Sequence, residues 1–249
     1  MNFIKHLIPN SIKQKGKEFL YDILKVPYSR SDVPLEVWNW LSREKPITYF
    51  DIGASVGHFS LNICAEYQVD KGIIVEPLAK HVAILEERFP DKDKFKILNI
   101  AIADSDAEAN FYVNEAYDSV SSLLKMHTEK DELSSLDTQK MVSQKIRTQT
   151  LDTITREQQL SAIDLIKIDV QGAEHLVLKS GIETLKKTKL VYTEFSFKPL
   201  YEESSTFFDL YKTLYDNNFM LVNISPGYTS PNGELLQGDA LFLNKRFAS

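Results

Sequence analysis

The sequence contains a single cysteine. Cys64 has no partner for an internal disulfide and no companions for a thiolate metal cluster. Its place on the apolar side of a helix-like run makes a buried, inert thiol the simpler reading. No H-x-x-x-H or similar spacing among the five histidines suggests zinc. No apolar run reaches the roughly 18 residues of a membrane span. No signal peptide is legible, because Pro9 and lysines interrupt the first residues, so the expected compartment is the cytoplasm. An excess of positive charge is missing too: 29 Lys and Arg stand against 35 Asp and Glu, for a net charge of -6. That balance argues against a broad electrostatic surface for nucleic acid. Neither an N-P-P-Y-like segment nor G-x-G-x-x-G occurs. A nucleic-acid methyltransferase and a nicotinamide-dependent oxidoreductase therefore lose their main sequence support. Internal repeats and low-complexity tracts are also absent.

What remains is an ordinary globular chain of 249 residues, 43% hydrophobic and 26% charged, long enough for a sizeable core. Its most informative stretch is Asp51-Ile52-Gly53-Ala54-Ser55-Val56-Gly57. It follows an apolar run, residues 47–50, and leads into a helical pattern from Phe59. A strand that ends in an acid and turns through glycines into a helix is a nucleotide-cofactor loop. A loop built for pyrophosphate avoids a carboxylate there, since the helix N-terminus attracts negative charge. D-x-G-x-x-x-G instead suits a ligand with a cationic group, such as the amino-acid end of S-adenosylmethionine. A second strand-like run, residues 72–75, ends in Glu76-Pro77, and an acid at that point can accept hydrogen bonds from both ribose hydroxyls. Together the two acids point to a methyltransferase; each alone is weak.

Residues 1–45 differ from the rest. Phe3, Ile4, Leu7 and Ile8 have helical spacing, as do Phe19, Leu20, Ile23 and Leu24, and lysines dominate the charges between them. The expectation is an amphipathic helical extension packed on the domain or on a second subunit, which would make a homodimer. A peripheral contact with an anionic membrane surface is the alternative. Residues 35–41 read as a short helix before Pro46. Beyond it, strands are expected at 47–51, 72–76, 95–100, 164–169, 190–195, 219–225 and 239–245. Helices are expected at 57–67, 79–89, 173–187 and 204–217. This alternation means an α/β domain, residues 46–249, with a mostly parallel sheet and helices on both faces. A turn at 230–233 joins the last two strands as a hairpin. Residues 104–145 interrupt the pattern as an insert or lid, with an extra strand at 111–113.

From 47 to 245 the chain resembles the FkbM-type S-adenosylmethionine-dependent methyltransferases. The matching segments are DIGASVGHFS (51–60), IVEP (74–77), NIAIAD (99–104), SVSSLL (119–124), TLDTI (150–154) and IDLIKIDVQGAEHLVLKSG (163–181). The last is the most specific, although many members carry Glu where Gln171 stands. The resemblance implies a Rossmann-like class I methyltransferase sheet closed by an antiparallel C-terminal hairpin strand. It also implies methylation of hydroxyls, often on sugars, polyketides or glycolipids. A sugar or glycan-type acceptor is thus expected, with no nucleic acid. A non-catalytic protein that binds the cofactor as a partner subunit is the competing reading.

The chemistry of the cofactor places the site. Asp51 would hold the methionine ammonium, directly or through water, or else serve as a helix N-cap or turn acid; Gly53, Ser55 and Gly57 would shape the loop, Glu76 would meet the ribose, and Asn99 and Ala101 would lie near the adenine edge. Methyl transfer from a sulfonium is an in-line displacement, and an alcohol needs help to lose its proton. Asp169 and Glu194 end strands that should be neighbours, about 4.8 Å apart. Their carboxylates would converge as ligands for Mg²⁺ or another divalent cation, or one would act as general base. Glu174 would join them or favour the helix N-terminus electrostatically. Among the histidines, His58 is expected to pack at a helix start, His127 lies in the insert and His6 and His81 at the surface. Lys167 would pair with a neighbouring acid. Phe195, Phe197, Tyr201 and Tyr228 suit either a sugar ring or the edge of the core.

Overall fold

The computed structural model describes residues 37, 40–114, 121–126, 141–198, 201–230 and 232–248. Residues 1–36, 38 and 39 of the expected extension (1–45), His127 and most of the polar tract 127–145 lie outside the described residues.

β1 (Ile47–Ile52) is followed by α1 (His58–Glu66), β2 (Val69–Val75), α2 (Ala79–Arg88) and β3 (Phe95–Leu98). β4 (Ala101–Ile102), β5 (Ala107–Asn114) and β6 (Met141–Gln149) come next, then α3 (Leu151–Glu157) and β7 (Ile163–Ile168). α4 (Glu174–Lys179), α5 (Ile182–Leu185), β8 (Thr188–Ser196), α6 (Phe207–Asp216), β9 (Phe219–Pro226) and β10 (Gln237–Asn244) complete the order, ahead of a 3-10 turn.

Seven strands form one sheet in the order β3-β2-β1-β7-β8-β10-β9. All neighbours from β3 to β8 are parallel, and β10 is antiparallel to both β8 and β9. Period-two alternation sends Phe50, Ile52, Ile166, Ile168, Val191 and Phe242 to one face, where α3, α4, α5 and α6 cover them. Tyr49, Leu165, Leu190 and Leu241 face the other way, against α1, α2 and the short segment of Val37 and Leu41. Chain order reverses between β1 and β7, and ligands of open α/β sheets bind outside the carboxyl ends at such a switch point.

Four details depart from the sequence reading. The strand expected at 95–100 ends at Leu98, and Ala101 and Ile102 join a second, three-stranded sheet ordered β4-β6-β5. The insert therefore holds a pair of antiparallel strands and is more than a loop. β5 contains the expected strand at 111–113, but β6 was hidden, because most of its residues face solvent and carry no apolar alternation. α3 was also unforeseen; Thr150 caps it by accepting from the Thr153 N–H at 3.1 Å. Finally, the helix expected at 173–187 is two, broken at Gly181, where a Cβ would sit 2.6 Å from Leu151.

Candidate active site

The carboxyl ends of β1, β2 and β7 open onto a concave cleft of the kind in which small-molecule ligands bind. Glu76 lies on its rim, one residue past β2. Its Oε2 accepts from the Ser55 N–H at 2.8 Å and its Oε1 from the Leu78 N–H at 2.9 Å. One carboxylate thereby ties the β1–α1 loop to the start of α2. Burial, partly offset by those N–H groups, raises its pKa. His81 Nδ1 stands 3.5 Å from Oε1. His81 is buried and lines the cleft, contrary to the surface position expected for it. Val75, Leu78, Ile100, Ala101, Ile102 and Phe111 supply an apolar wall, and the insert adds Ser121 and Leu123.

Gly53 shows why the loop needs glycine. Its φ is +74°, and a Cβ there would lie 1.8 Å from the Asp169 carbonyl oxygen. The loop thus sits directly against the end of β7. Gly53, Ser55, Glu76, Ala101 and Asp169 line the cleft. Gly57 instead packs against Leu85 and Phe89. Asn99 turns back to donate to the carbonyls of Glu76, at 3.1 Å, and Pro77, at 2.8 Å, bracing the turn.

Asp51 is placed differently from expectation. It is fully buried beneath the loop and does not line the cleft. Ser60 Oγ donates to its Oδ2 at 2.7 Å, and Lys167 Nζ lies 3.2 Å from its Oδ1. The cation beside Asp51 is thus supplied by the chain. Lys167 also donates to the Gly53 carbonyl at 2.8 Å and stands 3.7 Å from Asp169 Oδ2. Burial works against its charge, but Asp51 and Asp169 outweigh it and raise its pKa.

Asp169 follows β7, with its side chain 40% exposed. Glu194, on the neighbouring β8, is half-buried. Gln171 stands between them: its Nε2 donates to Asp169 Oδ1 at 2.8 Å and to Glu194 Oε2 at 3.3 Å. Gln171 is itself pinned, with φ of 57°, its carbonyl accepting from Ser122 Oγ at 2.7 Å and its Oε1 from Tyr201 at 3.4 Å. Burial pushes Glu194 up to about 9, with Asp169, Glu174 and Asp239 adding like-charge repulsion. Glu174 is buried and does not reach the cleft; its Oε1 accepts from the N–H groups of Val170 and Gly172, both at 3.1 Å. Burial pushes it up to about 7.

This arrangement does not fit the divalent cation expected between Asp169 and Glu194. Among the described residues no group of three or more His, Cys, Asp or Glu could hold a metal ion. The two facing carboxylate oxygens already share an amide donor, and a hard cation wants six or more oxygen ligands or tightly held waters. The pair is a hydrogen-bonded unit organised by Gln171.

A second cleft opens on the α1 side of the same loop. Gly53, Ser55 and Asp169 line both clefts. Of the aromatics singled out from sequence, Phe195 belongs to the core, tilted against Phe207, and Tyr201 is buried over Gln171, while Phe197 and Tyr228 are exposed.

Sheet order, switch-point clefts and the acid-terminated loop together define a Rossmann-like methyltransferase. The chain belongs to the FkbM family: residues 51–221 match the methyltransferase FkbM domain. It is 28% identical over 206 residues to 2-O-methyltransferase NoeI of Sinorhizobium fredii (strain NBRC 101917 / NGR234), covering 80% of this chain and 83% of that protein. The crystal structure of methyltransferase FkbM from Methylobacillus flagellatus KT superposes with a TM-score of 0.52 at 14% identity, over 80% of this chain. The match spans 43% of that longer chain. Among the described residues no helix is long and apolar enough to cross a membrane.

Proposed function

We propose that this methyltransferase takes the methyl group of S-adenosylmethionine and places it on a hydroxyl of a sugar, glycan or glycosylated natural product in the cytoplasm. The observation that carries the reading is that Glu76 and Asp169, which follow β2 and β7 on either side of β1, line one cleft. Glu76 keeps acceptor capacity on both oxygens for a ribose diol, and Ala101, Ile102 and Leu78 offer an apolar bed for a purine. Gly53 and Ser55 let the backbone approach the amino-acid end closely. The bound cofactor would supply a methyl group on positively charged sulfur. Asp169 would accept the proton that the acceptor hydroxyl loses as its oxygen takes the methyl. Gln171 would hold that carboxylate in place, and the water-excluding apolar wall would strengthen its effect. Oxygen as the accepting atom is supported by the relative named a 2-O-methyltransferase.

Calorimetric titration with S-adenosylhomocysteine, with and without Mg²⁺, tests the reading. Micromolar binding independent of magnesium is the expected result. No binding in either condition would remove the cofactor assignment, and a strong magnesium requirement would overturn the account of Gln171.

A further inference from the structure

We propose that Ser122, carried by the insert, is a positioning residue for the methyl transfer: its hydroxyl fixes the Gln171 carbonyl and thereby keeps the Gln171 amide between Asp169 and Glu194. This rests on Asp169 as the proton acceptor of the proposed function.

The turn after β7 runs through two left-handed residues, Gln171 with φ of 57° and Gly172 with φ of 95°. Glycine adopts that conformation freely, but a residue with a side chain keeps it only where its surroundings hold it. The N–H groups of the turn are held from one side, where Val170 and Gly172 both donate to Glu174 Oε1 at 3.1 Å. The carbonyl side is held by Ser122, whose Oγ donates to the Gln171 oxygen at 2.7 Å. Released from that bond, Gln171 can relax toward the right-handed region. Its Cα–Cβ bond is then re-aimed, and the amide leaves the two carboxylates it bridges.

Ser122 is itself a fixed point. It is fully buried. Its N–H donates to the Tyr112 carbonyl at 3.0 Å, and its own carbonyl accepts from the Tyr112 N–H at 2.8 Å. Its Oγ accepts from the Leu124 N–H at 3.1 Å. The backbone of Ser122 is thus tied to β5, while its side chain serves the turn that carries Asp169. The residues on either side, Ser121 and Leu123, line the same cleft as Asp169 and Gln171. One short piece of the insert therefore walls the cleft and pins the group that organises the acid pair, so the pair is set only when the insert is seated.

Side-chain amide NMR on the whole protein, labelled with ¹⁵N at glutamine, tests this. The Gln171 Nε2 signals are those lost in Gln171→Leu. An amide shared between two carboxylates is expected to resonate away from the solvent-exposed glutamines. Ser122→Ala should move the Gln171 signals to the exposed position. Ser121→Ala is the control: it removes the neighbouring hydroxyl, whose bond is to the Asn114 N–H at 3.3 Å, and should leave the Gln171 signals in place. Ser122→Cys keeps a side chain of similar size with a weaker donor. It gives a second reading, a smaller shift of the same sign, should Ser122→Ala fold poorly. Signals unmoved by the substitutions at Ser122, or moved as far by Ser121→Ala, would overturn the positioning role. The cofactor reading is judged separately, by adding S-adenosylhomocysteine to the unsubstituted protein: Gln171 lines the cleft, so its signals should shift again. Signals that depend on Ser122 but ignore S-adenosylhomocysteine would keep Ser122 as the pin of the acid pair and sink the cofactor reading instead.

Discussion

At the scale of single residues, the site separates groups that touch ligands from groups that hold the frame. Under the proposed function Glu76 is of the first kind, and it also ties the β1–α1 loop to the start of α2. Glu76→Ala should weaken S-adenosylhomocysteine by about 10- to 100-fold, the worth of charged hydrogen bonds to a diol, as calorimetry would record. Asp169→Asn should leave that affinity near its original value and lower turnover by about 10²–10⁴-fold; full activity in this variant would remove Asp169 from the mechanism. Lys167 is of the second kind. Lys167→Met would leave Asp51 charged and buried without its counter-ion, at a cost of about 3–5 kcal/mol in urea unfolding. The sequence spacing already put Asp51, Glu76 and Asp169 at the carboxyl ends of β1, β2 and β7. It did not show which acids face solvent. That is decided by Lys167 and Ser60, two and nine positions from the nearest site acids along the chain, and only the β1–β7 pairing brings Lys167 to Asp51. Gln171 was passed over for a related reason: its amide gains meaning only when β8 sets Glu194 beside it.

At the scale of elements, the β1–α1 turn is the least tolerant piece. Gly53→Ala would push a methyl into the Asp169 carbonyl and force a left-handed φ on alanine. Loss of S-adenosylhomocysteine binding with a lowered melting temperature is the expected outcome. An alanine variant that binds normally would show that the loop can move away from β7. Elsewhere the sequence was legible wherever burial imposes a period. β1, β2, β7, β8, β9 and β10 all carry apolar runs that the parallel core demands, and they were found within a few residues. β6 was not, because its partner β5 and the backbone ladder hold it, with few of its own side chains buried. The break between α4 and α5 falls at Gly181, where Leu151 of a distant element leaves no room for a Cβ.

At the scale of the whole molecule, two of the carboxyl groups that burial raises, Glu174 and Glu194, bear on how stability responds to pH. Glu174 and Glu194 titrate at about 7 and about 9 in the folded chain, above the roughly 4.3 of an unfolded glutamate. Between those values the folded state binds more protons than the unfolded one. Their contribution is therefore full below about pH 4 and is lost as pH rises through the folded values. The melting temperature should decline from about pH 5 to 9, and Glu194→Gln should flatten that decline; an unchanged slope would remove Glu194 as its source. The sheet order carries a different consequence. β10 lies inside the sheet, yet it is made after both of the strands that flank it. While a ribosome is still extending the chain, β8 and β9 each show an unpaired edge, and Leu241, Phe242 and Leu243 are not yet there to fill the two cores. The nascent protein is thus exposed to mispairing between the emergence of β9 and that of β10, and the sheet closes only when its inner strand is delivered.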